Sequence, residues 1–436
     1  MGFGTFGIEL LRERITDSSI AETARMNPND FTLLRKMGAS DIIYYCLNKK
    51  GLCTNMETNN YFEKTNRDIS ISAQALFDQR MKLSPSVFKD LNDEYLNAFY
   101  NEFPEEVRLF NNYVVLAIDG SDMEIPNTRA CIEKYGLAGN SKSGLARAGI
   151  SVCYDLLNHY ILDGIVDECR TGEIGMAMRL IDRTDGDSFP YNRIYIMDRN
   201  YVSLAFMQYF ELKNLKFLCR LKANSHYMEE TSAVATCDEI INIKHTKDRL
   251  QRSRFHNEEL FQAAKAKPFT RVRLLKYQLN TGEIEYLITN IEDFTYDDII
   301  KLYASRWGIE TAYFSLKQKL QIEKFTSSIP TLIEQDFFSS VLAYNIVQTT
   351  KNEAELTIDQ TAYKYEMRIN ENMAIGFVKN ELLFIMIESD KAKRLQRYDS
   401  MVSKISRHKV PVRNDRKFLI RFKTDNNNSL NKLKSF

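Results

Sequence analysis

The sequence predicts a mixed α/β protein, and three observations support this fold class. From about residue 112, short apolar runs rich in β-branched side chains alternate with longer segments of helical period. Hydrophobic residues make up 44% of the chain and charged residues 27%, which excludes a wholly disordered or fibrous protein. The longest run without a charged residue, 337–350, has 14 residues and is too short to cross a bilayer.

The first 105 residues are predicted to form helices joined by loops. Residues 31–47 have an amphipathic pattern, and a second helical unit covers 69–84 and then 88–99. Ser72 suits a helix N-cap and Pro85 suits a first helical turn. Two short helices around a turn fit a DNA-binding helix-turn-helix or an ordinary helical hairpin, and both interpretations stay open.

The next part of the chain has the predicted order β-β-β-α-β-α-β. This is the order of a ribonuclease H-like fold, in which an antiparallel meander precedes alternating helices and strands. The predicted elements are strands 113–118, 148–154 and 160–166, helix 173–182, strand 193–197, helix 201–212 and strand 216–220.

An insertion at about 223–290 interrupts this alternation. It ends in a predicted hairpin, 271–277 with 283–288, around the turn at 280–282. A helix from 297 to about 320 and a core helix at 337–350 follow. The predicted regions are a helical, DNA end-binding region at 1–105, a catalytic domain at 106–350, and a C-terminal region at 351–436 for contact with DNA or a second subunit.

The cysteine and histidine content argues against a zinc site. Seven cysteines are irregularly spaced without a C-x-x-C pair, and the five histidines are scattered. We therefore expect reduced, mostly buried thiols in a cytoplasmic protein. No secretion leader opens the sequence, and no membrane association is expected.

The charge is unevenly distributed although the net charge is only +1. Residues 391–436 contain 14 Lys and Arg against three Asp, a balance of +11, so the first 390 residues carry −10. A basic end on an acidic chain indicates a polyanionic partner, and a solvated tail is the alternative.

Asp119 and Asp198 each come directly after a predicted buried strand. Strand ends of a mostly parallel sheet are common ligand sites, and carboxylates there can hold Mg²⁺ or Mn²⁺. The alternative for each residue is an ordinary turn or helix N-cap aspartate.

A third group of polar residues lies on the predicted helix from 297 to 320. Tyr303, Arg306, Glu310 and Lys317 stand at offsets 0, 3, 7 and 14, which places them within an arc of about 60° on a regular α-helix. A solvated helix with an Arg306–Glu310 ion pair explains the same spacing.

The spacing and the neighbouring residues resemble the insertion-sequence-four family of DDE transposases. Tyr303-x2-Arg306-x3-Glu310-x6-Lys317 matches the family's Y-(2)-R-(3)-E-(6)-K motif, and 306–310 resembles its R-W-x-I-E sequence. Residues 119–121 and 198–201 resemble the blocks around its first and second aspartates, and 287–290 resembles the preceding strand. The similarity extends from about residue 30 to 345.

This resemblance implies a bacterial DNA transposase with a ribonuclease H-like core. Asp119, Asp198 and Glu310 would be the catalytic ligands of two Mg²⁺ or Mn²⁺ ions. The expected reaction is in-line phosphoryl transfer, in which water frees a 3′-OH at the element's end and that hydroxyl attacks target DNA. The expected partners are double-stranded DNA and a second copy of the chain on paired ends. The side chains expected to contact DNA are Tyr303, Arg306, Lys317 and Arg199.

Two other functions remain open from the sequence: a catalytically silent DNA-binding relative, and a two-metal nuclease that does not join strands. Some relatives hold a flipped base on an aromatic side chain. We expect the single tryptophan, Trp307, to pack in the core instead. Tyr227, Met228 and Phe255 lie in the insertion and could stack on such a base, but we expect ordinary packing for each.

Overall fold

The structure is a computed structural model that describes most of the chain in two compact units. The sheet unit comprises Tyr100–Tyr313, and the helical unit comprises Met1–Phe99 and Phe314–Phe436. Residues 314–350, which the predicted catalytic domain includes, thus pack in the helical unit. Turn residues 280 and 281, Phe255 and the basic residues 413–436 lie outside the described residues. The described ranges are 2–33, 35–138, 144–186, 189–221, 227–233, 236–254, 257–279 and 282–412.

The regular elements are numbered here in chain order. The strands are β1 (Tyr113–Glu124), β2 (Leu137–Ala138), β3 (Leu145–Asp155), β4 (Ile161–Glu168), β5 (Asn192–Met197), β6 (Lys216–Leu221), β7 (Asp238–Lys244), β8 (Phe269–Gln278), β9 (Ile284–Thr289), β10 (Met367–Ile369) and β11 (Lys409–Pro411). The helices are α1 (Phe3–Thr16), α2 (Ile20–Thr23), α3 (Ala39–Leu47), α4 (Thr54–Lys64), α5 (Ala73–Arg80), α6 (Ser86–Glu102), α7 (Arg129–Tyr135), α8 (Glu173–Thr184), α9 (Leu204–Leu212), α10 (Met228–Ala233), α11 (Lys247–Arg254), α12 (Glu258–Lys265), α13 (Tyr296–Ser305), α14 (Trp307–Phe314), α15 (Pro330–Leu356), α16 (Glu371–Ile387) and α17 (Lys391–Ser406).

One mixed sheet organises the sheet unit. Its strand order is β2-β3-β1-β5-β6-β9-β8-β7, and β4 also pairs with β3. The β1–β3 and β3–β4 pairs are antiparallel, whereas β1–β5 and β5–β6 are parallel. The predicted hairpin therefore extends the main sheet, because β9 pairs antiparallel with β6. The mixed α/β class predicted from the sequence is confirmed.

Strand β1 is longer than the sequence predicts. Its parallel pairing with β5 ends at Ala117 opposite Ile196, but its antiparallel pairing with β3 continues to Glu124 opposite Arg147. Asp119 consequently lies inside the strand and not directly after it. The five residues before Asp119, 114–118, are all buried, because this part of β1 is covered on both faces. The apolar run in the sequence therefore predicts only this part of the strand and not its continuation to Glu124.

The helix ends follow ordinary capping chemistry. Ser203 caps α9 by accepting a hydrogen bond from the Phe206 amide at 3.2 Å. Thr295 and Asp298 form a capping box at the start of α13. In the helical unit, Ser72 caps α5 as predicted, accepting a hydrogen bond from the Ala75 amide at 3.2 Å.

A buried polar network fixes the middle of the helical unit. The Arg80 side chain on α5 is fully buried, and it donates to Gln335 Oε1 at 3.0 Å and to Thr326 Oγ1 at 3.0 Å. It also pairs with the buried carboxylate of Asp336 on α15. A buried guanidinium needs such partners because its desolvation is otherwise uncompensated. Arg80 is the only basic residue of α5, so the exposed face of that helix carries no cation.

Helix α17 gives the first part of the basic segment a structural role. Arg394 is 4% exposed and makes a two-pronged ion pair with Glu9 of α1, with both N–O distances 2.7 Å. Tyr398 and Ile405 of the same helix are also buried. The helix therefore belongs to the core of the helical unit. Among the described helices, none is both long and apolar enough to cross a membrane.

Candidate functional site

Adjacent strands of the sheet unit carry the two candidate aspartates. Asp119 lies on β1 two residues beyond its last parallel pair, and Asp198 follows β5 directly, as predicted. Asp198 occupies the N-cap position of a 3₁₀ turn, Arg199–Tyr201, but its side chain makes no capping bond. The N-cap alternative therefore does not account for Asp198. Arg199 is exposed beside it.

The Asp119 carboxyl group has an unusual electrostatic environment. Burial raises the pKa of Asp119 from 3.8 to about 6, while Arg306 and the Gly120 amide oppose this rise. The charges of Glu173 and Asp198 contribute to the same rise, because each repels the ionised form of Asp119. A cation near Asp119 would relieve both the desolvation and the repulsion.

Positive and phenolic groups surround Asp198. Arg220 Nε on β6 lies 3.1 Å from Asp198 Oδ1, and the Tyr303 hydroxyl makes a long contact of 3.5 Å with the same oxygen. The other end of the guanidinium holds Glu285 Oε1 at 2.6 Å, and the Tyr277 hydroxyl also donates to Glu285. Asp198 is thus the end of a hydrogen-bonded chain that crosses β6, β9 and β8.

Arg306 and Glu310 form the ion pair that their spacing allows. Arg306 Nη2 donates to Glu310 Oε1 at 2.9 Å. The Arg306 side chain is 10% exposed, whereas that of Glu310 is 39% exposed. The guanidinium lies 6.0 Å from the Tyr303 ring and 5.6 Å from the Trp307 ring. Its Nε is buried without a hydrogen-bond partner among the described atoms.

The expectation of one continuous α-helix through this motif is wrong. The helical hydrogen bonding breaks at Arg306 between α13 and α14, and residues Ser315–Lys319 form a π-helical turn. A π turn adds a residue to the turn, so the 100° spacing does not extend to Lys317. Lys317 lies in the helical unit, where its Nζ is 3.6 Å from Glu323 Oε1.

Close packing of α14 on the sheet unit places Glu310. A Cβ atom on Gly308 would lie 2.9 Å from Leu156 Cδ2, at the end of β3, so glycine permits this approach. The Tyr313 hydroxyl donates to the Asp119 backbone oxygen at 2.8 Å. These contacts tie the helix that carries Glu310 to the strand that carries Asp119.

Two of the three candidate acids, Asp119 and Asp198, suit a divalent metal ion in this structure, whereas Glu310 has another partner. Asp119 and Asp198 supply the oxygen donors that hard divalent ions prefer, and their charges interact. No group of three or more His, Cys, Asp or Glu side chains within the described ranges is arranged to hold a metal. Glu310 is instead bound to Arg306 in this structure.

Sequence reasoning missed Arg220, Glu285, Glu173 and Tyr313. Arg220 was within reach, since it ends the predicted strand 216–220 just as Asp198 follows strand 193–197. Glu173 opens helix α8, and its Cγ would lie 3.3 Å from a Cβ atom on Gly120. No sequence signal connects Glu173 or Glu285 with the aspartates, because these contacts depend on tertiary packing.

The expected core role of Trp307 is wrong. Its side chain is 65% exposed at the start of α14, next to Arg306. Tyr227 is buried as expected, with the Arg249 guanidinium 4.5 Å from its ring centre. The Met228 side chain and Phe255 lie outside what the structure describes.

Comparison with known proteins identifies the family. The family described as "Transposase DDE domain" matches residues 111–346. The chain is 25% identical, over 289 residues, to the transposase InsG for insertion sequence element IS4 from Escherichia coli (strain K12). That similarity covers 64% of this chain and 61% of InsG, so it spans less than two thirds of the relative.

A solved structure is also similar. It is the cryo-EM structure of the piggyBac transposase synaptic complex with hairpin DNA, at 11% identity and a TM-score of 0.46, covering 94% of this chain and 87% of that one. The match to the DDE domain covers more than half of the present chain and includes Asp119, Asp198 and Glu310. The chain belongs to the DDE transposases, in the group typified by the IS4 element.

Proposed function

We propose that this protein is a DNA transposase that cuts phosphodiester bonds at the ends of an insertion sequence and joins the freed 3′-OH to target DNA. One observation carries the proposal: within the DDE domain match, Asp119 on β1 is partly desolvated and its charge interacts with that of Asp198, which follows the adjacent strand β5. Such an acidic environment is suited to binding divalent cations.

Asp119 and Asp198 are the proposed metal ligands, with Glu310 as the third. Divalent ions, two Mg²⁺ or Mn²⁺ by resemblance to the family, would supply the positive charge that favours in-line displacement at phosphorus. Glu310 becomes available to a cation when its bond with Arg306 is exchanged. A DNA phosphate is a competing partner for Arg306, since guanidinium binds phosphate and carboxylate in the same two-pronged manner.

Four side chains are proposed to contact DNA. Tyr303 contacts Asp198, the charge of Arg306 interacts with it, and Arg199 is exposed next to it. Their proximity supports a role in binding a phosphate whose bond is cut there. Lys317 retains this role only by resemblance to the motif. The partners proposed are double-stranded DNA, both element ends and target, and a second copy of this chain on paired ends in the cytoplasm.

The topology supports a ribonuclease H-like core. If the strands are counted from β1 with the short β2 omitted, the first five are β1, β3, β4, β5 and β6. Their observed order across the sheet is β4-β3-β1-β5-β6, an antiparallel meander followed by parallel strands. This is the arrangement that the β-β-β-α-β-α-β order predicts.

The test uses the purified chain and a plasmid carrying its gene with the flanking DNA. With Mg²⁺, we expect cuts at short inverted repeats and products in which the freed 3′ ends are joined to a second plasmid. Cuts without joined products would identify a nuclease. Binding to the flanks without cuts would identify a silent relative.

A further inference from the structure

A recess in the helical unit is lined by lysines from three separate segments. Lys49 follows α3, Lys324 precedes α15, and Lys379 lies on α16. The recess has a cavity volume of about 30 Å³. This volume exceeds what one water needs, so the recess admits one or two oxygens of a larger group.

The acidic group lining this recess is already neutralised. Asp336 pairs with the fully buried Arg80, and Lys49 contacts the same oxygen, Oδ1. Arg80 and Lys49 share the charge of Asp336. Lys324 and Lys379 line the same recess, so its lining side chains together carry an excess of positive charge. Glu57 offsets part of it, although this carboxylate also accepts hydrogen bonds from the backbone amides of Lys50 at 2.6 Å and Leu52 at 2.9 Å.

The surroundings of Lys379 destabilise its charged form. The pKa of Lys379 is lowered to about 8, mainly by burial and also by repulsion from Lys49 and Lys50, against the attraction of Glu57. An ammonium group in this position gains from any anion that enters the recess, because the anion offsets both desolvation and repulsion.

The backbone also holds the recess in shape. Gly51 has a φ of +79°, and a Cβ atom there would lie 2.9 Å from Gln321 Oε1 and 3.9 Å from Lys324 Cδ. The positive φ favours glycine at this turn, where the segment after α3 lies close to the segment that carries Lys324. Two lysines that are distant in sequence are thereby placed on one recess.

We propose that the recess lined by Lys49, Lys324 and Lys379 binds a phosphate group, supplied by the backbone of double-stranded DNA. Three ammonium groups are strongly hydrated point charges that suit the oxygens of a phosphate. The phosphate chemistry follows from the recess alone, whereas the choice of DNA as its source rests on the proposed function. The contact would be independent of base sequence.

The experiment measures acylation of each lysine by mass spectrometry in the full chain. An amine-reactive ester is applied at constant ionic strength with no addition, with inorganic phosphate, or with a 20-base-pair duplex of arbitrary sequence. At ten times the dissociation constant of the duplex, acylation of Lys49, Lys324 and Lys379 should fall about tenfold, because the free fraction falls by that factor. Lys64 is the internal control: its pKa is also lowered by burial, and it lies 5.4 Å from the Phe384 ring at a separate recess.

A second measurement uses variants with one charge removed. Lys379→Gln and the exposed Lys324→Gln should each flatten the plot of log affinity against log salt, by at most about 0.9, the value for complete loss of one phosphate contact on duplex DNA, and Lys64→Gln should not. Thermal unfolding checks that each variant is folded.

The possible outcomes separate the claims. Protection by inorganic phosphate but not by duplex would overturn DNA as the source, and protection by neither would overturn the site. Protection should persist in the Asp119→Ala variant, so that loss of cleavage chemistry does not affect this test.

Discussion

Arg220 Nε lies 3.1 Å from Asp198 Oδ1, and the same guanidinium holds Glu285 Oε1 at 2.6 Å. A carboxylate at the end of β5 thus shares its cation with a carboxylate on β9. Removing the arginine would leave two acids without their partner, and such a loss costs more than the ion pair contributes while intact.

Arg220→Met should lower the free energy of unfolding by about 1–2 kcal/mol. The low end of this range applies because the side chains of Arg220 and Asp198 are 27% and 25% exposed and partly screened by solvent. Urea unfolding measures the change. The matched control is Arg271→Met, whose ion pair with Glu292 is 59% and 52% exposed and should contribute less than about 0.5 kcal/mol. Equal effects of the two substitutions would contradict the account.

Asp119→Asn should stabilise the metal-free protein at neutral pH. The folded-state pKa of Asp119, about 6, exceeds the ordinary value of 3.8, so the folded protein binds this proton more tightly than the unfolded chain does. The resulting contribution to the free energy of unfolding is fully present below pH 3.8 and is lost as pH rises through 6. The cost of ionised Asp119 is then at most about 3 kcal/mol at pH 7.5, and asparagine avoids it.

Urea unfolding at pH 7.5 and pH 4 tests this sign. The advantage of asparagine should nearly vanish at pH 4. Asp167→Asn is the opposite control, because hydrogen bonding from Arg179 lowers the pKa of Asp167 despite its burial, so its replacement should destabilise at pH 7.5. If Asp119→Asn raised the free energy of unfolding equally at both pH values, the burial of the Asp119 carboxyl group would not be the cause.

The fluorescence of Trp307 should report on the candidate site. It is the only tryptophan in the chain and is 65% exposed beside Arg306, so acrylamide should quench the free protein efficiently. Binding of duplex DNA with the element's end should reduce this quenching, because an indole close to a bound phosphate loses solvent access. Inefficient quenching of the free protein would show that the side chain is buried.

Truncation tests whether the last residues of the basic C-terminal segment, 413–436, contact DNA. Residues 413–436 carry seven Lys and Arg against two Asp, and we expect their removal to flatten the salt dependence of DNA binding without changing base preference. An unchanged slope with loss of dimerisation would favour a protein-contact role.

Arg394→Met should instead lower the free energy of unfolding by about 3 kcal/mol, because the substitution leaves the Glu9 carboxylate buried without its ion-pair partner. Lys393→Met, one residue earlier and exposed, is the control and should change stability little. Urea unfolding of both variants measures the difference. An effect of Arg394→Met no larger than that of Lys393→Met would show that the ion pair is not a structural contact.

The sequence patterns located the sheet and its aspartates because strand burial leaves a local signal. The run before Asp198 is apolar and β-branched, and the strand does end there. Asp119 does not follow the end of its strand, because β1 stays paired with β3 beyond the last residue that pairs with β5. This pairing is a tertiary contact that the local sequence does not indicate. Trp307 was misplaced because aromatic content favours burial only on average. The break at Arg306 and the partners Arg220 and Glu285 required the fold itself.

Asp119, Asp198 and Glu310 are proposed to act together on a divalent metal. The most direct measurement is Mg²⁺-dependent cleavage of duplex carrying the element's end by Asp119→Ala, Asp198→Ala and Glu310→Ala, with binding of the same duplex measured in parallel. We predict that each variant loses cleavage while end binding stays close to that of the unchanged protein, because the role proposed for these residues is to hold metal and not to read sequence. Near-normal Mg²⁺-dependent cleavage by any one of the three variants would contradict this prediction.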